Sequence, residues 1–201
     1  MLIISLLFMV SKTTAVFSSL VMPGTGEILL GEKKRGETFL WVGGVTTSLW
    51  IGFFWYGELK KTDALLYASL YASANPENKD GRYLSAIENY ESSLKYNEEI
   101  AREAREKYPN DYKKQQEYIK KYGYFEENEW NWEDTSYWYE YMKIRDIERE
   151  AYQRAKLWLG FAVLTRFASV IDCLLFIEKP LRIKTGFDGK RIRIGFSLYF
   201  K

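Results

Sequence analysis

Two apolar runs, each about as long as a bilayer-crossing helix, bracket a charge-rich stretch, residues 58–156. That arrangement constrains this chain more than anything else in it. The first run is "GETFLWVGGVTTSLWIGFFWYG", residues 36–57, and the second is "LWLGFAVLTRFASVIDCLLFIEKP", residues 157–180. A helix needs roughly 20 apolar residues to cross the hydrocarbon layer, and both runs supply them. Trp41, Trp50, Trp55 and Tyr56 in the first run, and Trp158 in the second, fall where an interfacial aromatic belt would place them. Gly43 and Gly44 weaken a helix in water, whereas in a membrane they let a neighbouring backbone approach closely. The competing reading of both runs is a buried helix in a soluble domain. Their length, aromatic ends and polar flanks favour lipid.

Charge is segregated in step with these runs. Residues 36–56 hold one charged side chain, Glu37, and residues 157–177 hold two, Arg166 and Asp172. Residues 57–156 carry 17 Lys/Arg against 21 Asp/Glu, and residues 178–201 carry seven against two. The whole chain is only +2, which gives no nucleic-acid footprint. There is no histidine, so His-based triads, His metal ligands and the usual near-neutral proton shuttle are excluded. The single Cys173 sits in an apolar run and is expected to be a buried, inert thiol.

Between residues 1–22 and the first long run lies "VMPGTGEILLGEKKRG", residues 21–36. Pro23 ends a helix because it lacks an N–H and disfavours helix in the residue before it. Gly24 and Gly26 permit a turn, a short helical turn Glu27–Gly31 follows, and Lys33, Lys34 and Arg35 anchor it at the headgroups. Residues 1–22 read as a third membrane helix or as a cleaved signal peptide. Residues 1–11 lack the basic side chain that a signal peptide wants, which favours the helix. With residues 1–22 and 36–56 both spanning, the positive-inside rule puts Lys33–Arg35 and the basic tail in the cytoplasm and the acidic block outside. Cleavage of residues 1–22, or their failure to span, inverts that topology.

The glycine stretch resembles the "PGxGQxYxG…G" signature of an uncharacterised family of bacterial membrane proteins, through Pro23, Gly24, Gly26, Gly31 and Gly36. Glu27 stands where that family usually has Gln, and Leu29 where it has an aromatic residue. Trp130 and Trp132 are similar to its W-x-W segment, and Arg166, Ser169 and Asp172 to its "NRxxSxxDA" last helix. Thr165 and Cys173 replace the Asn and Ala. The terminal "IGFSLYFK" is similar to the family's aromatic strand. The resemblance implies a mainly α fold and a bacterial membrane location, and it implies no activity.

The charged block reads as a helical lobe. One helix is expected to stop at Asn75–Pro76. A second, over residues 81–109, would bury Leu84, Ile87, Leu94 and Ile100 on one side. A third would run from Asn110, a possible cap, to Gly123. "YFEENEWNWED" reads as a polar aromatic loop, and Asp134 or Thr135 as the cap of a last helix that continues into the second apolar run. Fifteen of the sixteen tyrosines lie between Tyr56 and Tyr152, which suits helix packing or a partner-binding surface. In the tail, "DG" marks a turn within "LRIKTGFDGKRIRIGFSLYF", so residues 180–201 are expected to form a β-hairpin.

These readings divide the chain into a membrane hairpin with the glycine motif (1–57), a polar helical lobe (58–156), a transmembrane helix (157–179) and a basic β-hairpin tail (180–201). The fold class is a mainly α integral membrane protein with two or three transmembrane helices. Arg166, Ser169 and Asp172, spaced i, i+3, i+6, fall on one side of a helix and could meet Glu27, Lys12 or Glu37. A pairing of Arg166 with Glu27 is expected to lock the last helix to the glycine hairpin. Glu126, Glu127, Glu129, Glu133 and Asp134 fit no Ca²⁺ loop, and "GTGEILLG" lacks the Lys-Ser/Thr of a phosphate loop. No metal, cofactor or catalytic residue is expected, nor is an enzyme. The favoured function is a membrane-anchored scaffold or assembly subunit, with the bilayer and a protein partner or second copy as its contacts and no nucleic acid. The alternative is a small transport or channel subunit using Arg166 and Asp172.

Overall fold

A computed structural model describes residues 12–176, 182–187 and 192–197. Residues 1–11, where the choice between helix and signal peptide falls, lie outside the described residues, as do the side chain of Lys12 and the Asp188–Gly189 turn. The described part is mainly helical: α1 (Lys12–Val21), α2 (Thr25–Leu29), α3 (Lys33–Ala72), α4 (Gly81–Asn89), α5 (Ser93–Lys107), α6 (Tyr112–Tyr122) and α7 (Thr135–Phe176). In the tail, the backbones of β1 (Arg182–Phe187) and β2 (Ile192–Ser197) pair antiparallel, with Arg182 opposite Ser197.

Three prolines punctuate this order: Pro23, Pro76 and Pro109 each follow a helix end by a few residues, and none of the three interrupts a helix. This spacing lets α3 run for 40 residues and α7 for 42. Both are long and apolar enough to cross a membrane, and only 11% and 22% of their most apolar windows are buried. A core helix of a soluble domain would bury most of such a window.

The chain divides into two compact units, Met1–Trp50 with Lys156–Lys201, and Ile51–Ala155, so α3 and α7 each contribute to both. Within the second unit the core is aromatic. Tyr83, Tyr96, Tyr124, Trp130, Trp132 and Tyr141 are buried with Ala64, Ala68 and Ala72, small residues four apart on α3. Rings meet edge-on, as with Tyr83 and Trp130 at 5.7 Å and 83°.

The expected single helix over residues 81–109 is two helices. At the break, Trp130 O accepts from Ser93 N at 2.9 Å, and Trp132 N donates to Glu91 O at 2.9 Å. Ser92 then caps α5 by accepting from Lys95 N at 3.3 Å. The break resets the helical phase. Leu84, Ile87 and Ile100 are buried as expected, but Leu94 is 68% exposed and Tyr96 takes the inward place. The loop tryptophans complete the end of α4. A helix leaves its last carbonyls unpaired. Here the indoles of Trp132 and Trp138 donate to Ile87 O and Glu88 O at 3.1 and 2.8 Å, and that of Trp130 donates to Tyr90 O at 3.0 Å. "YFEENEWNWED" is therefore core rather than a polar loop at its two tryptophans. The α6 cap is Asp111, one residue beyond Asn110, accepting from Lys114 N at 3.0 Å. Asp134 accepts from Ser136 N at 2.7 Å at the start of α7.

Truncating Trp130 removes both ring packing and the bond to Tyr90 O. Trp130→Ala is expected to cost about 3–5 kcal/mol in chemical denaturation, and Leu94→Ala close to nothing. Burial raises the phenols of Tyr83, Tyr96 and Tyr124 above the ordinary 10.0. These groups stay protonated in the folded lobe after the unfolded chain has begun to lose its protons. The stability they contribute is whole below pH 10 and falls as pH rises beyond it. Phenolate absorbance should lag that of the denatured chain in an alkaline titration, and thermal stability should drop over the same range.

Candidate functional site

The glycine motif folds into a tight reversal within the first unit. Thr25 N donates to Met22 O at 3.2 Å, with Pro23 and Gly24 as the two central turn residues. Gly24 has φ 97° and ψ −21°, the conformation that a type II turn demands at that place. The α2 helix then stops on Gly31, at φ 90°. Gly31 N donates to Ile28 O at 3.0 Å and Glu32 N to Glu27 O at 2.8 Å, the paired bonds of a Schellman stop. The short helix thus covers Thr25–Leu29 rather than Glu27–Gly31. Gly26 is needed for closeness: a Cβ there would collide with Ala15 O, Ser19 Oγ and Cys173 Sγ. Gly36 lies against Ile28 and the Gly24 carbonyl.

This reversal carries Glu27 into the interior, where it is 1% exposed. Ser169 of α7 donates to Glu27 Oε1 at 2.7 Å, and Ser19 of α1 donates to Oε2 at 3.0 Å. Each serine oxygen in turn accepts a backbone N–H, from Gly24 at 2.9 Å and from Gly26 at 3.1 Å. Cys173 Sγ is buried 3.2 Å from Ser19 Oγ. Buried polar groups persist when they find partners, and here two hydroxyls relay between one carboxyl and two backbone amides.

The expected pairing of Arg166 with Glu27 is absent. Arg166 Nη1 donates to Ala162 O, at 2.8 Å, on its own helix. Asp172 accepts from Arg35 at 3.0 Å through Oδ1, while its Oδ2 is buried without a hydrogen-bond partner among the described residues. The i, i+3, i+6 spacing brought Ser169 to the motif but left its two charged neighbours on other partners. Sequence reasoning passed over Ser19 and read Arg35 as a headgroup anchor rather than as the partner of Asp172. Ser19 is one of many small polar residues in an apolar run, and no local pattern separates it from Ser18.

Arg166 also lines a groove of about 270 Å³ with Pro23, Leu40, Gly43, Thr47 and Ser48. No cluster of metal-ligating side chains occurs among the described residues. The fold and this site define a mainly α protein with two helices long and apolar enough to cross a membrane, one of which, α7, is tied to a glycine turn by a buried polar cluster. Comparison with protein-family models, curated proteins and solved structures finds no match.

The double exchange Glu27→Arg with Arg166→Glu is expected to fold no better than either single change, as judged by monodispersity in detergent. Ser169→Ala strands Gly24 N and half of the Glu27 carboxyl. It should lower stability by about 1–3 kcal/mol in a thermal melt, whereas Thr165→Ala, which removes only a bond to Phe161 O on its own helix, should cost less.

Proposed function

We propose that this chain is an integral protein of a bacterial cell membrane that acts as an anchored scaffold, holding a rigid aromatic lobe for a protein partner or a second copy. The observation that carries this reading is a contrast in burial. The lobe encloses its own core, while the apolar windows of α3 and α7 remain almost bare. Bare apolar surface on that scale needs an apolar solvent or a partner. The buried tie from Glu27 to Ser169 and Ser19 supports an anchor role, since it fastens α7 to the glycine turn and to α1. The lobe offers side chains for contact, including Tyr112, Tyr139 and Leu94, all exposed. The resemblance of the glycine motif to bacterial membrane proteins is a further support.

The chain should stay with membranes through an alkaline carbonate wash. A photo-reactive residue at Tyr112 or Tyr139 should then give a discrete cross-linked adduct in cells. Reconstituted vesicles should show no ion flux. A flux abolished by Asp172→Asn, without any adduct, would replace the scaffold with a transport subunit.

A further inference from the structure

The Arg166 groove carries a charge that no described residue answers with an ion pair. One N–H of the guanidinium bonds Ala162 O; among the described residues its other donors meet no acceptor and no carboxylate lies in ion-pairing range. Residues 1–11 contain no acidic residue at all. The hydroxyls of Thr47 and Ser48 open into the same groove and bond nothing among the described residues. Elsewhere on these apolar helices the pattern is different: Thr38, Thr46 and Thr165 all donate to carbonyls of their own turn.

The remaining walls are apolar. Leu40 and the Pro23 ring face the opening, and Val21 and Met22 at its rim are exposed. A cation with free donors, two hydroxyls and an apolar rim match one class of molecule: an amphiphile with an anionic head and an acyl chain. Arginine suits the head because its planar fork accepts two oxygens of a phosphate or carboxylate together. An arginine within an apolar span is costly until it is answered in this way.

We infer that this groove binds an anionic membrane lipid, with Arg166 on the headgroup phosphate, Thr47 and Ser48 as additional donors, and the acyl chain along Val21, Met22 and Leu40. The inference rests on reading α3 and α7 as membrane helices. It accounts for Arg166 being left apart from Glu27: the arginine is held by Ala162 O beside the groove, while the carboxyl is satisfied by serines.

The test uses the full chain in nanodiscs of mixed phosphatidylglycerol and phosphatidylcholine, followed by native mass spectrometry of the lipid retained on release. The carbonate wash is done first. A chain that washes off overturns the membrane reading and this inference with it. A chain that stays embedded tests the groove alone. Phosphatidylglycerol should be retained about tenfold over phosphatidylcholine. Arg166→Gln should abolish that preference, Arg166→Lys should keep part of it, and excess inorganic phosphate should not displace the lipid. Equal retention of the two lipids by the wild-type chain overturns the inference, even if Arg166→Gln fails to fold. So does an unchanged preference in a folded Arg166→Gln, or displacement by phosphate. A cross-link from Ser48 to an acidic helix of another protein in place of lipid would overturn it as well.

Discussion

A polar group on an apolar helix meets few partners beyond the backbone and the few polar side chains that packing brings to it, and much of this structure is an answer to that constraint. Thr38, Thr46, Thr165 and Arg166 each donate back to a carbonyl of the preceding turn. Glu27 accepts rather than donates, so backbone carbonyls cannot serve it, and it is met instead by serines from two other helices. Those serines reach it only because Gly26 allows backbone and side chains to close on one another. The glycine turn, the small residues around it and the buried carboxyl are therefore one device. Removing any part leaves a donor or acceptor stranded in an apolar setting.

The lobe solves the same accounting problem with different chemistry. Helix α4 ends early, and its last carbonyls would be orphaned without the indoles of Trp132 and Trp138. Each ring fills core volume while its N–H finishes a helix, which is why tryptophan, a donor with no acceptor, suits the place. The hydroxyl of Tyr141 does the same for Leu84 O at 3.1 Å. Tyrosine and tryptophan let a thin helical lobe build a core without leaving polar backbone unpaired. A buried ion cluster adds to it: Arg145 and Glu148 are both buried, and Glu88 accepts from Arg149 at 2.7 Å.

Legibility in the sequence followed the range of the forces involved. Prolines, caps and apolar length act locally, and α7, the Asp134 cap and the apolar first half of α3 could be anticipated from them, whereas the unbroken run of α3 past residue 57 into the lobe was not. The break at Tyr90–Ser92 could not be. It depends on Trp130 and Trp132 pairing with a segment about 40 residues away, which overrides a continuous helical pattern. Helical spacing put Arg166, Ser169 and Asp172 on one side of the last helix. It gave no means of telling which of them would meet Glu27, since opposite charge pointed to Arg166 and close packing chose Ser169.

The sequence by itself determined that two long helices would be apolar over a membrane's thickness, that Pro23 and Gly24 would reverse the chain, and that no histidine or disulfide chemistry was available. Those are properties of composition and of backbone freedom at single residues. Only the tertiary structure decided that Glu27 would be buried among hydroxyls, that Arg35 would take Asp172, and that Arg166 would face an open groove. Such pairings depend on which side chains arrive within 3 Å of one another, and that distance is set by packing between helices far apart in the chain.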